Sequence, residues 1–268
     1  MDNTHIIVDS HAHLNMEEFD KDRSDVVERA FSEGIGAILC PVDLAEPERL
    51  NIAEELENSF DNIILAAGVH PHMAKDFEDI FLDQIKKLAA KRKIKAIGEI
   101  GLDFHYNLSD KDSQVRVFRE QLNIAQELEL PVIIHSRNAQ EDILRAVKEE
   151  GFSQGGVLHC FTEEWDLARQ MMDEGFFISF SGILTFPKAG DIRETAKKIP
   201  LERLLVETDA PYLTPVPFRG KIRRNEPLYV RETGQFLASL KNISYEELSD
   251  QTTQNFSECF MFEIKKTE

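Results

Sequence analysis

Ala96-Ile97-Gly98-Glu99-Ile100-Gly101-Leu102-Asp103, then Ser109-Asp110-Lys111-Asp112, then Val132-Ile133-Ile134-His135 make up the unit from which the fold is read. The first run is nearly continuous in apolar character rather than alternating, as expected of a parallel strand covered on both faces. Ser109-Asp110-Lys111-Asp112 has the form of a capping box, and it opens a run with Val115, Phe118, Leu122 and Ala125 on one helical face. The second apolar run then begins the next strand.

Working outward, the same unit recurs along the whole chain. Apolar runs stand at Ile6–Asp9, Ala37–Val42, Ile63–Val69, Ala96–Ile100, Val132–His135, Gly156–His159, Phe177–Phe180 and Leu204–Val206. Helices are expected between them at about 22–33, 47–58, 78–92, 140–149, 164–174 and 189–198. One more begins near Glu226, and the last follows a second capping box, Ser244-Tyr245-Glu246-Glu247, burying Leu248, Phe256, Cys259 and Phe260. Eight strand–helix units in about 250 residues is the arithmetic of a (β/α)8 barrel. The expected fold is therefore α/β: a single TIM barrel over residues 1–268 with an additional C-terminal helix. An open doubly wound sheet is the alternative, but no GxGxxG follows the first strand, where Gly34 and Gly36 read as turn residues.

The composition limits what such a barrel can do. Lys and Arg number 31 against 49 Asp and Glu, a formal charge of −18. That argues against gripping long duplex DNA through a basic face, and against attraction to anionic lipid. A bound divalent ion can still reverse the local field for an anionic substrate. No apolar run is long enough to cross a bilayer, and Met-Asp-Asn-Thr-His does not start an export signal. With Cys40, Cys160 and Cys259 few and far apart, the expectation is a cytoplasmic protein with reduced thiols. No obligate protein partner is expected.

Five histidines, His11, His13, His70, His135 and His159, fall at or just past the ends of strands one, three, five and six. In a parallel barrel those ends share the rim that carries the active site. His11 and His13 are two apart, so both imidazoles face one way on an extended chain and can chelate one cation. Glu99 ends strand four, and the glycines around it allow close backbone approach to a ligand. Glu207 and Asp209 share parity after strand eight, with Asp209 nearer the rim. Strands one, four, five, six and eight supply four histidines and two carboxylates, His11, His13, His135, His159, Glu99 and Asp209, more than one tetrahedral zinc uses. The count suggests two divalent ions, Mg, Mn or Zn, with Glu99 as the bridging carboxylate. Residues 218–225, Phe-Arg-Gly-Lys-Ile-Arg-Arg-Asn, carry four positive charges and no acid, and are expected beside the same rim.

The ordered series Asp9-Ser10-His11-Ala12-His13, Gly68-Val69-His70-Pro71-His72, Gly98-Glu99-Ile100-Gly101-Leu102-Asp103, His135-Ser136-Arg137, His159-Cys160-Phe161, Glu207-Thr208-Asp209-Ala210-Pro211 and Arg224-Asn225-Glu226-Pro227 resembles the TatD-type metal-dependent deoxyribonucleases. The resemblance runs from about residue 6 to 262 and includes Thr252-Thr253-Gln254-Asn255-Phe256. It implies a TIM barrel of the amidohydrolase-like superfamily that hydrolyses phosphodiesters with divalent metals. His11, His13, Glu99, His135, His159 and Asp209 would be the ligands, with His70 close by and Asp9 and Glu207 behind them. The chain departs from the family pattern at two places. Ile222 and Arg223 lengthen the Arg-Gly-Lys-Arg-Asn-Glu-Pro run, and Glu163 stands where Gly is common.

The expected activity is 3′-5′ exonucleolytic cleavage of DNA, acting on strand ends or short single strands. A water of lowered pKa attacks phosphorus in line, Asp209 takes its proton, and Glu99 holds the ions together. His70, Arg137, Arg219 and Arg224 are expected to bind phosphate. The alternatives are an amidohydrolase, a D-aminoacyl-tRNA ester hydrolase on the same metal site, and an inactive barrel serving as a scaffold.

Overall fold

A computed structural model describes residues 6–265. The N-terminal residues 1–5, on which the absence of an export signal was read, lie outside the described residues. Strands β1 (Ile7–Asp9), β2 (Ile35–Asp43), β3 (Ile63–Gly68), β4 (Ala96–Asp103), β5 (Val132–Arg137), β6 (Gly156–Leu158), β7 (Phe176–Phe180) and β8 (Leu204–Val206) form one parallel sheet in chain order. Ser10 N–H donates to the Val206 carbonyl (3.1 Å), and Ala12 pairs in parallel with Ala210. The sheet therefore comes round almost to closure between β8 and β1, as the periodicity predicts.

Helices α1 (Arg23–Ser32), α2 (Pro47–Ser59), α3 (Asp79–Ala90), α4 (Lys111–Leu128), α5 (Gln140–Glu149), α6 (Trp165–Asp173) and α7 (Gly190–Lys198) fill the connections. α8 (Val230–Lys241) and α9 (Tyr245–Phe260) follow β8. Ser244 caps α9 as expected, its hydroxyl accepting from the Glu247 N–H (3.0 Å). At α4 the cap is one residue later than the sequence suggests. Asp110 accepts from Ser113 N–H (2.9 Å), while the Ser109 hydroxyl is spent on the turn at 71–76, donating to the His72 carbonyl (2.7 Å). Gly36 is not a turn residue but lies within β2, where a Cβ would meet the Ile6 side chain at 2.0 Å.

The apolar residues divide into two layers. The larger lies between strands and outer helices. The smaller lies inside the barrel: Val8, Leu39, Ile64, Ala96, Ile133, Val157, Phe177 and Leu205 meet Phe256, Cys259 and Phe260 of α9. Ala96 is the first residue of β4, and Ile64, Ile133 and Phe177 are the second of β3, β5 and β7, so α9 closes the N-terminal end of the strands. The Asn255 amide donates to the Leu201 and Leu204 carbonyls (2.9 and 2.8 Å) and seats the helix there. The C-terminal ends of the strands are left open for chemistry.

Candidate metal centre

The strand ends are drawn together by missing side chains. A Cβ on Gly101 would lie 2.1 Å from the His135 carbonyl oxygen, and Gly101 has φ +134. A Cβ on Gly98 would lie 2.6 Å from that of Ile133. The glycines flanking Glu99 thus serve approach to β5, rather than to a ligand as the sequence suggests. They bring Glu99 and His135 within hydrogen-bond distance.

Glu99 is the hub, only 7% exposed and faced by five imidazoles. Its Oε2 lies 3.3 Å from His11 Nε2 and 3.7 Å from His13 Nε2. Its Oε1 lies 2.9 Å from His135 Nδ1, 2.7 Å from His159 Nε2 and 3.3 Å from His70 Nε2. Asp209, at φ 55 just past β8, brings Oδ1 to 3.4 Å from His13 Nε2. The six residues expected as ligands and His70 are thus gathered in one place.

The donor set fits divalent cations. His11 Nε2 and His13 Nε2 face each other at 3.2 Å, a contact that needs either a proton or a cation between the rings. His11 Nδ1 and Glu207 Oε2 are buried with no hydrogen-bond partner. Three groups, His11/His13/Glu99, His70/Glu99/His135 and His11/His159/Glu207, each hold their ligand atoms within 4.8 Å of one another. Imidazole nitrogen mixed with carboxylate oxygen suits zinc or manganese and admits magnesium with fewer nitrogens.

Burial penalises charge on all these groups, and their neighbours decide the outcome. Burial, reinforced by His159, holds His11 below its ordinary pKa, and burial takes His70 down to about 4. Both stay neutral; the free lone pair of His70, on Nδ1, accepts the His72 N–H (3.2 Å). At His159 burial is overruled by Glu99 and Glu207, which raise its pKa well above the ordinary value. Burial would raise the Glu99 carboxyl, but the imidazoles, His159 foremost, hold it well below. Asp209 is likewise lowered against burial by its bond to His13. An arriving cation would replace the His159 proton and inherit ionised carboxylates.

A further ring of groups aims the ligands. Asp103 Oδ2 lies 3.2 Å from His135 Nε2 and 2.9 Å from His72 Nε2, and its Oδ1 accepts from the N–H groups of His105 and Tyr106. It holds the His135 ring with Nδ1 toward Glu99. Neither Asp103 nor His72 is singled out by the sequence reading, although Asp103 shares the parity of Glu99 along β4. Glu207 Oε1 backs His159 Nδ1 at 3.3 Å. Asp9 accepts from the Thr208 N–H (2.8 Å) and hydroxyl (2.6 Å), fastening the β1 end to the β8 end. On α4, the buried Gln121 clamps both backbone groups of Val69, and Gln114 does the same to Asp103.

The centre opens into a cavity of about 910 Å³ lined by His13, His70, Glu99, His135, His159 and Asp209, with Arg49, Tyr106, Arg137 and Tyr212 on its walls. Of the basic residues expected to bind phosphate, Arg137 lines it, its guanidinium 4.6 Å from the Tyr106 ring centroid. Arg49 also lines it, paired with Glu46, and nothing in the sequence marked it. Arg219 and Arg224 do not line it. Arg224 instead donates to both Asp22 oxygens (2.9 and 2.8 Å), to Glu226 (2.9 Å) and to the Glu18 carbonyl (2.5 Å). Those contacts make it a strut between the loops after β8 and β1. Arg219 lies over the Phe186 ring at 3.7 Å. Glu163 accepts from Asn138 N–H (3.0 Å) and the Gln140 amide (2.8 Å), steadying the loop after Arg137.

Comparison with known proteins is in line with this centre. The family model "TatD related DNase" matches residues 8–261. An uncharacterized metal-dependent hydrolase, YabD of Bacillus subtilis (strain 168), is 44% identical over 256 residues, covering 95% of this chain and 99% of the relative. A protein of Escherichia fergusonii named 3′-5′ ssDNA/RNA exonuclease TatD is 36% identical over 92% of this chain and 96% of its own length. The crystal structure of YjjV, a TatD homolog from Escherichia coli K12, superposes with a TM-score of 0.87 at 29% identity, over 96% of this chain and 98% of that one. The chain is a metal-dependent hydrolase and belongs to the family of TatD related DNases.

Proposed function

We propose that this protein removes nucleotides from the 3′ ends of single-stranded DNA by phosphodiester hydrolysis at a two-ion centre. His11, His13, Glu99, His135, His159 and Asp209 would hold the ions. The observation that carries this reading is the division of the Glu99 carboxylate, Oε2 toward His11 and His13 and Oε1 toward His135 and His159. One oxygen for each histidine pair is what a bridging carboxylate needs. Bound there, divalent ions would polarise the phosphoryl oxygens and lower the pKa of a water.

The chain's own residues do the rest. Asp209, kept ionised by His13, takes a proton from the attacking water. The water oxygen bonds to phosphorus, the bond from phosphorus to the 3′ oxygen breaks, and that oxygen receives the proton. A nucleoside 5′-monophosphate and a strand shortened by one residue result. The Arg137 guanidinium faces the cavity and offers donors to the phosphate oxygens. Neutral His70 lines the same cavity, its Nδ1 accepting from the His72 N–H (3.2 Å) and its Nε2 turned to Glu99. Asp9 and Glu207 act only through the groups they hold. The relative named a 3′-5′ ssDNA/RNA exonuclease supports the substrate class.

Products from a 3′- and a 5′-labelled single strand, with Mg, Mn or Zn, test the reading, together with metal content by elemental analysis. Expected are mononucleotides from the 3′ end and two ions per chain. Full turnover by a Glu99→Ala/Asp209→Ala double variant would overturn it.

A further inference from the structure

Two aromatic side chains break the pattern of the rest. Tyr106 is 55% and Tyr212 49% exposed, and no other Phe, Tyr or Trp among the described residues is exposed to this degree. Both line the same cavity. Tyr106 follows β4 and Tyr212 follows β8, four places apart in an eight-stranded ring, so they stand on opposite sides of the mouth. Tyr212 borders the His13 side of the metal centre, and Tyr106 borders His72, which shares Asp103 with His135. The Tyr212 ring meets His13 edge-on at 6.4 Å, and the Tyr106 ring meets His72 edge-on at 5.8 Å. Arg137 over Tyr106 holds a guanidinium beside that ring. A chain that buries or half-buries its other aromatics has no packing reason to leave these two in water at one opening.

Resting on the single-strand phosphodiesterase reading, we propose that Tyr106 and Tyr212 are base-stacking platforms. They would receive the nucleobases on either side of the phosphate being cleaved. An aromatic face accepts any base, because every base has a π-face, so the site would be indifferent to sequence. Two bases splayed to opposite walls cannot be stacked on each other or paired to a complement. The platforms would therefore select single strands and exclude duplex at the centre itself. Arg137, anchored by the same ring, would meet the phosphate between them.

The test compares two strands alike except that one carries abasic residues at its last two 3′ positions. Each stacked base should favour the ordinary strand by about 5- to 150-fold in kcat/KM. That preference ratio should fall by such a factor in Tyr106→Ala and in Tyr212→Ala, and persist in the Phe variants. An unchanged ratio in both Ala variants overturns the proposal, as does a wild type that cleaves the two strands equally. A strand bearing 2-aminopurine at its 3′ end, mixed in a stopped flow, reads stacking by quenching without any need for cleavage. Quenching lost in the Ala variants supports the platforms even if no strand is cut, in which case the phosphodiesterase reading alone fails. Quenching that is absent or identical in all variants overturns the platforms.

Discussion

A single methyl group at Gly101 should loosen the centre from behind. Its Cβ would stand 2.1 Å from the His135 carbonyl oxygen and 3.0 Å from its carbon, backbone atoms that cannot turn aside. The φ of +134 belongs to a region open essentially to glycine, at a cost of about 1–3 kcal/mol for another residue. Forcing the two strands apart adds about 1–3 kcal/mol. A middle value of about 4 kcal/mol lowers Tm by about 8–16 °C in a chain of this size. Gly151→Ala is the matched control, since Gly151 also has a positive φ (+61) but nothing within 4 Å of the added carbon. It should lose only about 1–2 kcal/mol. The assay is thermal unfolding of both variants with EDTA, followed by metal titration. Gly101→Ala should melt well below Gly151→Ala and bind metal more weakly, because Glu99 and His135 part. If the two variants melt together and bind metal alike, the strand-approach argument is wrong.

Asp103→Asn should leave the fold intact but weaken metal binding by about 10–100-fold, because the amide no longer holds the His135 ring as a carboxylate does; isothermal titration gives the comparison. Arg224→Met should cost about 1–2 kcal/mol in urea unfolding, with its ion pairs discounted for partial exposure. The same change should alter kcat/KM on single strands far less than Arg137→Met does, and equal losses would restore Arg224 as a phosphate ligand. Removing metal with a chelator should abolish hydrolysis and lower Tm, and ion at about 100 times its Kd should restore about 2.7 kcal/mol.

The barrel is legible in the sequence because parallel strands covered on both faces must be apolar throughout, and this chain repeats such runs eight times. The candidate ligands are legible for a related reason: polar groups directly after those runs have only the rim to occupy. The supporting contacts are harder to read. Asp103 meets His72 across 31 positions, and Arg224 meets Asp22 across 202. Separations of that kind are set by how the loops lie, which strand periodicity does not fix. The basic run 219–224 shows the limit. Four positive charges look like a phosphate site, yet Arg224 is committed to acids on a neighbouring loop. Nothing in the sequence marks Tyr106 and Tyr212; the barrel sets them on opposite sides of its mouth.

The placement of α9 also bears on how the protein is made. Its Phe256 and Phe260 complete an interior layer begun by Val8, some 250 residues earlier in the chain. While the chain is being synthesised, every strand emerges before the helix that seals it. The interior of the strand ring is exposed to water over that interval, and apolar surface exposed in this way invites aggregation. A chain stopped just past Asp209 would retain every proposed ligand and still lack a closed interior. Its fate should be decided by chaperones and proteases before any chemistry at the rim could matter.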